Sequence, residues 1–270
     1  MTQFLVREGG RIAYDDSGGS GPLVICLPGA GDLRATYRFL TPLLRAAGHR
    51  VVTADLRGIG GSSVGWDRYT PRATGEDVLA LIDHLDAGPA VLVTNSFSPA
   101  AAIWAAAEAP HLVSGVVLGS AWADEPKLNP LLKLLSHIVL RSPRAWVWFY
   151  RSLYPTAPPA DLPEYLAAMR ANLAQPGRMA ALRAMMSAPK QECNARLGEL
   201  TCPVLVLMGT KDPDFKDPEG QARRIAARAR SATVAMVDGA GHYPAAEFPE
   251  ATAEALLPFL AQVTTGHRAD

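Results

Sequence analysis

The chain has 270 residues, 49% of them hydrophobic, and its 26 Lys and Arg side chains balance 26 Asp and Glu side chains. This length suffices for one domain with a large core, and the zero formal charge argues against binding of nucleic acid or another polyanion. We therefore expect a small-molecule substrate. No C-x-x-C pair or histidine cluster accompanies Cys26, Cys193 and Cys202, so they are interpreted as reduced structural thiols and not as metal ligands.

The sequence predicts no targeting or membrane segment. Its first residues, MTQFLVREGGRIAYDDSGG, contain neither a basic leader nor an apolar stretch before a small-residue cleavage site, which predicts a cytoplasmic location. The most apolar stretch, Leu131 to Leu140, has about ten residues and includes Lys133 and His137, whereas a membrane span needs roughly twenty apolar residues. No transmembrane segment is expected, and no pattern predicts an oligomeric state.

Short apolar runs alternate with longer helical patterns along most of the chain. An opening hairpin is predicted from Gln3 to Arg7 and from Arg11 to Asp15, joined through Gly9 and Gly10. Six further strands are predicted at Leu23–Leu27, Val51–Ala54, Ala90–Val93, Val113–Leu118, Val204–Met208 and Thr233–Val237. This alternation is typical of parallel strands covered by helices on both faces. The predicted fold is therefore α/β, with an eight-stranded, mostly parallel sheet.

The alternation stops between Leu118 and Val204, where helical patterns follow one another without a strand. Four amphipathic helices are predicted there, on the apolar sets Leu131, Leu134, Leu135 and Ile138; Trp146, Phe149, Tyr150 and Leu153; Leu166, Met169 and Leu173; and Met179, Leu182 and Met186. Asp161 and Glu164 have the spacing of a capping box at the start of the third helix. We interpret residues 124–190 as a helical cap inserted into a core formed by residues 1–123 and 191–270.

The run from Val91 to Ala107, VLVTNSFSPAAAIWAAA, passes from a buried strand through Ser96 into an alanine-rich helix. A serine at such a junction projects its hydroxyl from the sheet edge, as the nucleophile of an acyl-transfer enzyme does. Thr94 and Ser98, however, stand where the nucleophile-elbow pattern G-x-S-x-G has glycine. Their hydroxyls either replace glycine without a further role or contact the substrate.

An acyl-transfer serine also needs a base and an acid that orients this base. His242 is the preferred base because it lies in the loop DGAGHYP directly after the last predicted strand, where glycines let the loop turn. In GTKDPDF, which follows the preceding strand, Asp212 and Asp214 are both candidate acids. Asp212 is preferred because it lies closer to the sheet edge, and Asp124 is a third option.

Oxyanion donors are expected from the residue after the nucleophile and from the loop after the first parallel strand. Phe97 and Ala30 occupy these two positions. Gly29 and Gly31, in the motif LPGAGD, let the backbone turn its amides toward the site. The backbone amides of Ala30 and Phe97 are therefore the predicted oxyanion hole.

Taken in this order, the motifs resemble those of the α/β-hydrolase family along nearly the whole chain. The resemblance rests on LPGAGD, DLRGIGGSS from Asp55 to Ser63, TNSFS, GTKD and GAGHYP. It implies the α/β-hydrolase fold, a cap over the site, no cofactor, and Ser96, Asp212 and His242 as a catalytic triad. A serine at the elbow weighs against epoxide hydrolase or haloalkane dehalogenase chemistry, because those family members use a carboxylate nucleophile.

These residues predict a serine hydrolase that cleaves an ester through an acyl-enzyme. The leucines, methionines and aromatic residues of the predicted cap favour a small substrate with an apolar part. A thioesterase, a lactonase or a carbon–carbon bond hydrolase would use the same residues. A ligand-binding or receptor-like protein on the same scaffold is a further alternative, because the elbow lacks its usual glycines.

Overall fold

The fold is known from a computed structural model that describes residues 1–124 and 130–265, without the side chains of residues 131–134 and 265. In this part of the chain, one sheet contains eight strands: β1 (Gln3–Arg7), β2 (Gly10–Asp16), β3 (Leu23–Leu27), β4 (Arg50–Ala54), β5 (Ala90–Asn95), β6 (Val113–Gly119), β7 (Val204–Gly209) and β8 (Ala232–Val237). Their spatial order is β1-β2-β4-β3-β5-β6-β7-β8. The hairpin β1–β2 adds antiparallel strands to six parallel ones, so the predicted sheet is confirmed.

Strands β5 and β6 both run further than their apolar residues predict. β5 ends at Asn95 and β6 at Gly119, because Thr94 pairs with Leu118 and Asn95 with Gly119 in the parallel ladder. Polar or small residues at a strand end break an apolar pattern but not the backbone hydrogen bonds. The two extensions bring the chain to the sheet edge where Ser96 lies.

The helices of the described residues are α1 (Leu40–Ala46), α2 (Pro71–Leu85), α3 (Ser98–Glu108), α4 (Pro130–Val139), α5 (Pro143–Arg151), α6 (Leu162–Leu173), α7 (Arg178–Ser187), α8 (Gln191–Ala195), α9 (Pro218–Ala226), α10 (Pro244–Glu247) and α11 (Pro249–Thr265). Successive side chains of a strand point to opposite faces. Ile25 therefore joins the core cluster that includes residues of α2, α3 and α9, whereas Val24 joins the cluster of α1 and α11. Within the described ranges, no helix has both the length and the apolarity needed to cross a membrane.

Helices α4 to α8 lie between β6 and β7, in the segment predicted to be helical. Three of the four predicted apolar faces can be compared in full with the structure. In the first one, Leu135 and Ile138 are exposed and not buried, and the side chains of Leu131 and Leu134 lie outside the described residues. The prediction for Met186 is wrong: its side chain is 41% exposed, and Met185 is buried beside Leu182 instead. The division into a core and a cap at residues 124 and 190 stays a prediction.

The predicted capping box at Asp161 is wrong. Asp161 precedes the first residue of α6, but its carboxylate accepts no hydrogen bond from the helix backbone. It accepts one instead from Nε of Arg38, at 2.7 Å. This ion pair joins the start of α6 to the segment before α1, because the long arginine side chain reaches the carboxylate that the helix would otherwise use.

Candidate active site

Ser96 lies between β5 and α3 in a left-handed backbone conformation, with φ of +60°. Its N–H donates to the Gly119 carbonyl of the neighbouring strand at 2.9 Å, which holds the turn against the sheet. A side chain other than glycine is strained at such a φ value, and this strain persists only where the surrounding structure fixes it. The sharp turn leaves the Ser96 side chain in the wall of a cavity.

The two residues that replace glycine at the elbow are bonded to main chain. The Thr94 hydroxyl donates to the Val117 carbonyl at 2.6 Å, and the Ser98 hydroxyl donates to the Leu27 carbonyl at 2.9 Å. Both side chains are buried, and neither borders the cavity around Ser96. The alternative that these hydroxyls contact a substrate is therefore wrong. A glycine is required instead at Gly119 of the neighbouring strand, because a Cβ atom there would lie 2.3 Å from the Thr94 carbonyl oxygen.

His242 lies in the loop after β8, beside two carboxylates. Its Nδ1 is 2.9 Å and 3.0 Å from the two carboxylate oxygens of Asp212, and 3.6 Å from Oδ2 of Asp214. The Asp212 side chain is fully buried, whereas that of Asp214 is 25% exposed. Asp124, the third candidate acid, is exposed and paired with Arg228. The geometry thus favours Asp212 as the partner of the imidazole.

The backbone of His242 is held by residues that the sequence did not identify as part of the site. Its N–H donates to the Leu153 carbonyl at 3.0 Å. Its carbonyl accepts from the Asn95 amide at 3.2 Å and from the Ser120 hydroxyl at 2.9 Å. Asn95 is the last residue of β5 and Ser120 directly follows β6, so polar residues at the carboxyl ends of adjacent strands were the available signal.

The environment of His242 favours its protonated form. Burial lowers the pKa of the imidazole, but the negative charges of Asp212 and Asp214 outweigh burial and raise it to about 9. Burial also raises the pKa of Asp214, which His242 partly opposes. Perturbed values of this kind are common where a histidine acts as an acid or a base.

The loop with Ala30 lies directly against Ser96. A Cβ atom added to Gly29 would be 3.2 Å from Cβ of Ser96 and 3.2 Å from the Tyr243 hydroxyl, so glycine permits this approach. In the described part of the chain, the amides of Ala30 and Phe97 donate to no protein acceptor. Phe97 also precedes the first residue of α3, where helix N–H groups are unpaired and favour negative charge.

Ser96, His242, Ala30 and Phe97 border one cavity of about 350 Å³. The volume lies in the range of roughly 300–1,000 Å³ that small-molecule sites occupy. No hydrogen bond joins the Ser96 hydroxyl to His242 within the described ranges; such bonds are often long before a substrate binds. The described residues contain one cluster with metal-ligating atoms close together, namely Asp212, Asp214 and His242. The absence of a metal or cofactor stays a prediction.

Asp32 connects the loop of Ala30 to two helices of the insertion. Its Oδ1 accepts from the hydroxyls of Tyr150, at 3.0 Å, and Tyr165, and from the Leu33 N–H at 2.8 Å. The carboxylate is fully buried, and its Oδ2 has no partner in the described part of the chain. Burial raises the pKa of Asp32 to about 7, although the hydrogen bonds from tyrosine oppose this rise.

We expect Asp32→Asn to flatten the pH dependence of stability. A carboxyl whose pKa is higher in the folded state stabilises the fold below its unfolded pKa, and this contribution is lost as the pH rises through the folded pKa. The wild-type free energy of unfolding should therefore fall, relative to Asp32→Asn, by on the order of 3 kcal/mol between about pH 5 and pH 8. Urea unfolding at both pH values measures this change. Asp83→Asn, at an exposed carboxylate of α2, is the control, and parallel curves for Asp32→Asn and wild type would contradict the expectation.

Comparison with known proteins identifies the family. The profile of the Alpha/beta hydrolase family matches residues 24–255. RutD of Variovorax paradoxus, named for carbamate hydrolysis, is 28% identical over 252 residues, which cover 90% of this chain and 93% of that protein. BpoC of Mycobacterium tuberculosis, named as a non-haem bromoperoxidase, is 36% identical over 108 residues, a match that spans 40% of this chain and 41% of that protein.

A solved structure extends this similarity to nearly the whole chain. A thermophilic esterase from Thermogutta terrifontis is 25% identical, with a TM-score of 0.78 and coverage of 97% of this chain and 99% of that chain. The sheet order, the serine turn after β5 and the histidine loop after β8 agree with the profile match. The chain therefore belongs to the α/β-hydrolase family of enzymes.

Proposed function

We propose that this protein is a serine hydrolase of carboxylic esters, with Ser96, Asp212 and His242 as its catalytic triad. The observation that carries the proposal is the setting of His242. Its Nδ1 contacts the buried Asp212, and the same ring borders the cavity that contains the strained Ser96. An imidazole held through Nδ1 offers Nε2 as the base for a serine hydroxyl.

In the proposed reaction, the Ser96 oxygen attacks the acyl carbon while His242 accepts the hydroxyl proton. Asp212 stabilises the imidazolium that forms, and the amides of Ala30 and Phe97 bind the oxyanion. The bond between the acyl carbon and the alkoxy oxygen then breaks while His242 gives its proton to this oxygen, so the leaving group departs as an alcohol. Water, deprotonated by His242, cleaves the acyl-enzyme, which releases the carboxylic acid and restores Ser96.

The cavity supports a small substrate with an apolar part. Trp146, Phe149, Leu153 and Met186 form an apolar portion of its wall. Met186, which was predicted to lie on a buried helix face, is exposed and borders this cavity. It therefore contributes to the proposed substrate site. The similarity to the Thermogutta esterase supports an ester as the substrate, whereas RutD and BpoC are named for other reactions.

A fluorophosphonate probe tests the nucleophile directly, because it reacts with a serine whose hydroxyl is activated by a base. We expect labelling of the wild type and none of Ser96→Ala, with Ser187→Ala, which alters another serine of the cavity, as the matched control. Equal labelling of the wild type and Ser96→Ala, or labelling of neither, would refute the assignment.

The same triad could catalyse several reactions, and comparing kcat/KM for aryl esters, acyl thioesters, lactones and vinylogous diketones distinguishes them. The proposal predicts the highest kcat/KM for the esters. A strong preference for a thioester, a lactone or a diketone would replace ester hydrolysis by that reaction. Tight binding of an apolar ligand without any product would indicate a binding protein on this scaffold.

A further inference from the structure

Ser96 borders two cavities of very different size. The larger cavity, of about 350 Å³, also borders His242 and the predicted oxyanion donors Ala30 and Phe97. The smaller cavity, of about 20 Å³, borders Ser96 but none of these three residues. Trp122 lies in the wall of both, so the two spaces meet at the nucleophile. The reaction proposed above uses groups of the larger cavity and leaves the smaller one without a role.

The chemistry of ester hydrolysis determines which part of the substrate lies in each cavity. The alkoxy oxygen must come within hydrogen-bond reach of His242, which gives it a proton, so the alcohol part lies in the larger cavity. The carbonyl oxygen must face the amides of Ala30 and Phe97. The acyl chain takes the remaining direction from the tetrahedral carbon, away from these groups. The smaller cavity borders Ser96 without bordering His242, and it is therefore the space available for the acyl chain.

The wall of the smaller cavity is mostly apolar. Besides Ser96, its polar residues are Lys190, Asn194 and Arg228, and its aliphatic side chains come from α3, from β6 and from the segments around α8 and α9. Four large aliphatic side chains of this wall are each at most 4% exposed, namely Ile103, Leu118, Leu197 and Ile225. An aliphatic acyl chain gains free energy when it moves from water to such surroundings.

The size of the smaller cavity limits the length of the acyl chain. A volume of roughly 10–15 Å³ holds one water-sized group, so about 20 Å³ accepts a methyl or ethyl group and little more. Close-packed side chains resist additional methylene groups. We propose that the natural substrate is an acetyl or propionyl ester of a larger, partly apolar alcohol, and that Ile103, Leu197 and Ile225 determine this limit. The inference rests on the proposed ester hydrolysis and adds the class of acyl group.

Two series of esters test the limit in the wild type. The 4-nitrophenyl esters of acetic, butyric, hexanoic and octanoic acid share one leaving group and differ only in the acyl chain. We expect kcat/KM to fall at least tenfold from the acetate to the hexanoate. Methyl, butyl and hexyl acetate vary the alcohol instead, and kcat/KM should not fall along this series. A hexanoate hydrolysed as efficiently as the acetate would overturn the inference.

Shortening Ile103 should relax the limit. Pro99 and Ile103 lie on one face of α3, and Ile103 is about 6 Å further along the helix from Ser96. Ile103→Ala therefore lengthens the cavity away from the nucleophile, and it should lower the acetate-to-hexanoate ratio of kcat/KM about tenfold or more. Ile103→Val should lower this ratio less, and it decides the outcome if Ile103→Ala does not fold.

Two control variants separate the acyl limit from general effects. Ile82 belongs to the same core cluster as Ile103 but borders neither cavity, so Ile82→Ala should leave the acetate-to-hexanoate ratio unchanged. Met186 borders the larger cavity alone, and Met186→Ala should also leave this ratio unchanged. An unchanged ratio in Ile103→Ala, or an equal change in Ile82→Ala, would overturn the inference.

Alkanesulfonyl fluorides distinguish a failure of this inference from a failure of the proposed function. If the wild type hydrolyses none of the esters, ester hydrolysis fails, and labelling by methanesulfonyl and hexanesulfonyl fluoride, followed by intact-protein mass, then decides the role of the smaller cavity. The Ser96 oxygen attacks sulfur, His242 accepts the hydroxyl proton, and the S–F bond breaks to release fluoride. Faster labelling by the methyl reagent, with this preference lost in Ile103→Ala, supports the acyl cavity. Equal or faster labelling by the hexyl reagent, a preference that Ile103→Ala retains, or no labelling overturns it.

Discussion

Replacing Asp212 by asparagine is expected to lower kcat by about 10⁴-fold. Asparagine keeps the shape of the side chain, but its amide cannot stabilise the imidazolium and its NH₂ group favours the wrong imidazole tautomer. The Asp212 carboxylate is buried, and both of its oxygens lie within 3.0 Å of Nδ1 of His242. Steady-state kinetics with an aryl ester measures the loss.

Asp214→Asn is the matched control, and it should behave differently. It removes one of the negative charges that oppose burial and raise the pKa of His242 to about 9. The pKa of His242 should therefore fall, and because the base must be neutral, the acidic limb of the kcat/KM profile should move to lower pH. Activity near neutral pH should rise, because the contact of His242 with Asp212 is retained. A severe loss in Asp214→Asn, with nearly normal activity in Asp212→Asn, would make Asp214 the triad acid.

The sheet could be predicted because its central strands are buried on both faces and therefore appear as uninterrupted apolar runs. The same rule placed the ends of β5 and β6 too early. Thr94, Asn95 and Gly119 take part in the pairing between the two strands although they do not belong to an apolar run. Element order could be predicted, but exact strand ends depend on pairing with neighbours that the local pattern does not contain.

The candidate site was predictable to the extent that parallel strands bring their following loops to one edge of the sheet. This rule selected Ser96 and His242, but it could not separate Asp212 from Asp214, because two residues of a turn can point in different directions. The role of Ser120 depends on a contact between distant segments, because its hydroxyl donates to the carbonyl of His242. Sequence spacing contains no signal for such contacts.

The helices of the insertion could be predicted from the sequence, but the contacts that attach them to the rest of the protein could not. Apolar spacing indicated buried faces, and Leu166 and Met169 are buried as expected. The spacing of Asp161 indicated a local cap, whereas the carboxylate binds Arg38, which lies 123 positions away. An ion pair with a distant arginine competes with a local cap for the same oxygens, so a local rule fails where tertiary contacts are available.

Ser96→Gly is expected to abolish turnover and to relieve strain in the fold. Loss of the nucleophile should lower kcat by about 10⁶-fold, as should Ser96→Ala. The two variants should differ in stability, because alanine keeps a Cβ atom at φ of +60° and glycine does not. We expect the free energy of unfolding of Ser96→Gly to exceed that of Ser96→Ala by about 1 kcal/mol, measured by urea unfolding.

Ser98→Gly provides the matched control two residues away. The Ser98 hydroxyl bonds to buried main chain and its backbone lies in α3, so this substitution should lower the free energy of unfolding by about 1–3 kcal/mol. Opposite effects of glycine at these two positions would indicate that the fold holds Ser96 in a strained conformation that its chemistry requires. If Ser96→Gly is no more stable than Ser96→Ala, the left-handed turn carries no strain, and the position of Ser96 is then maintained by its contacts with Gly119 and α3 alone.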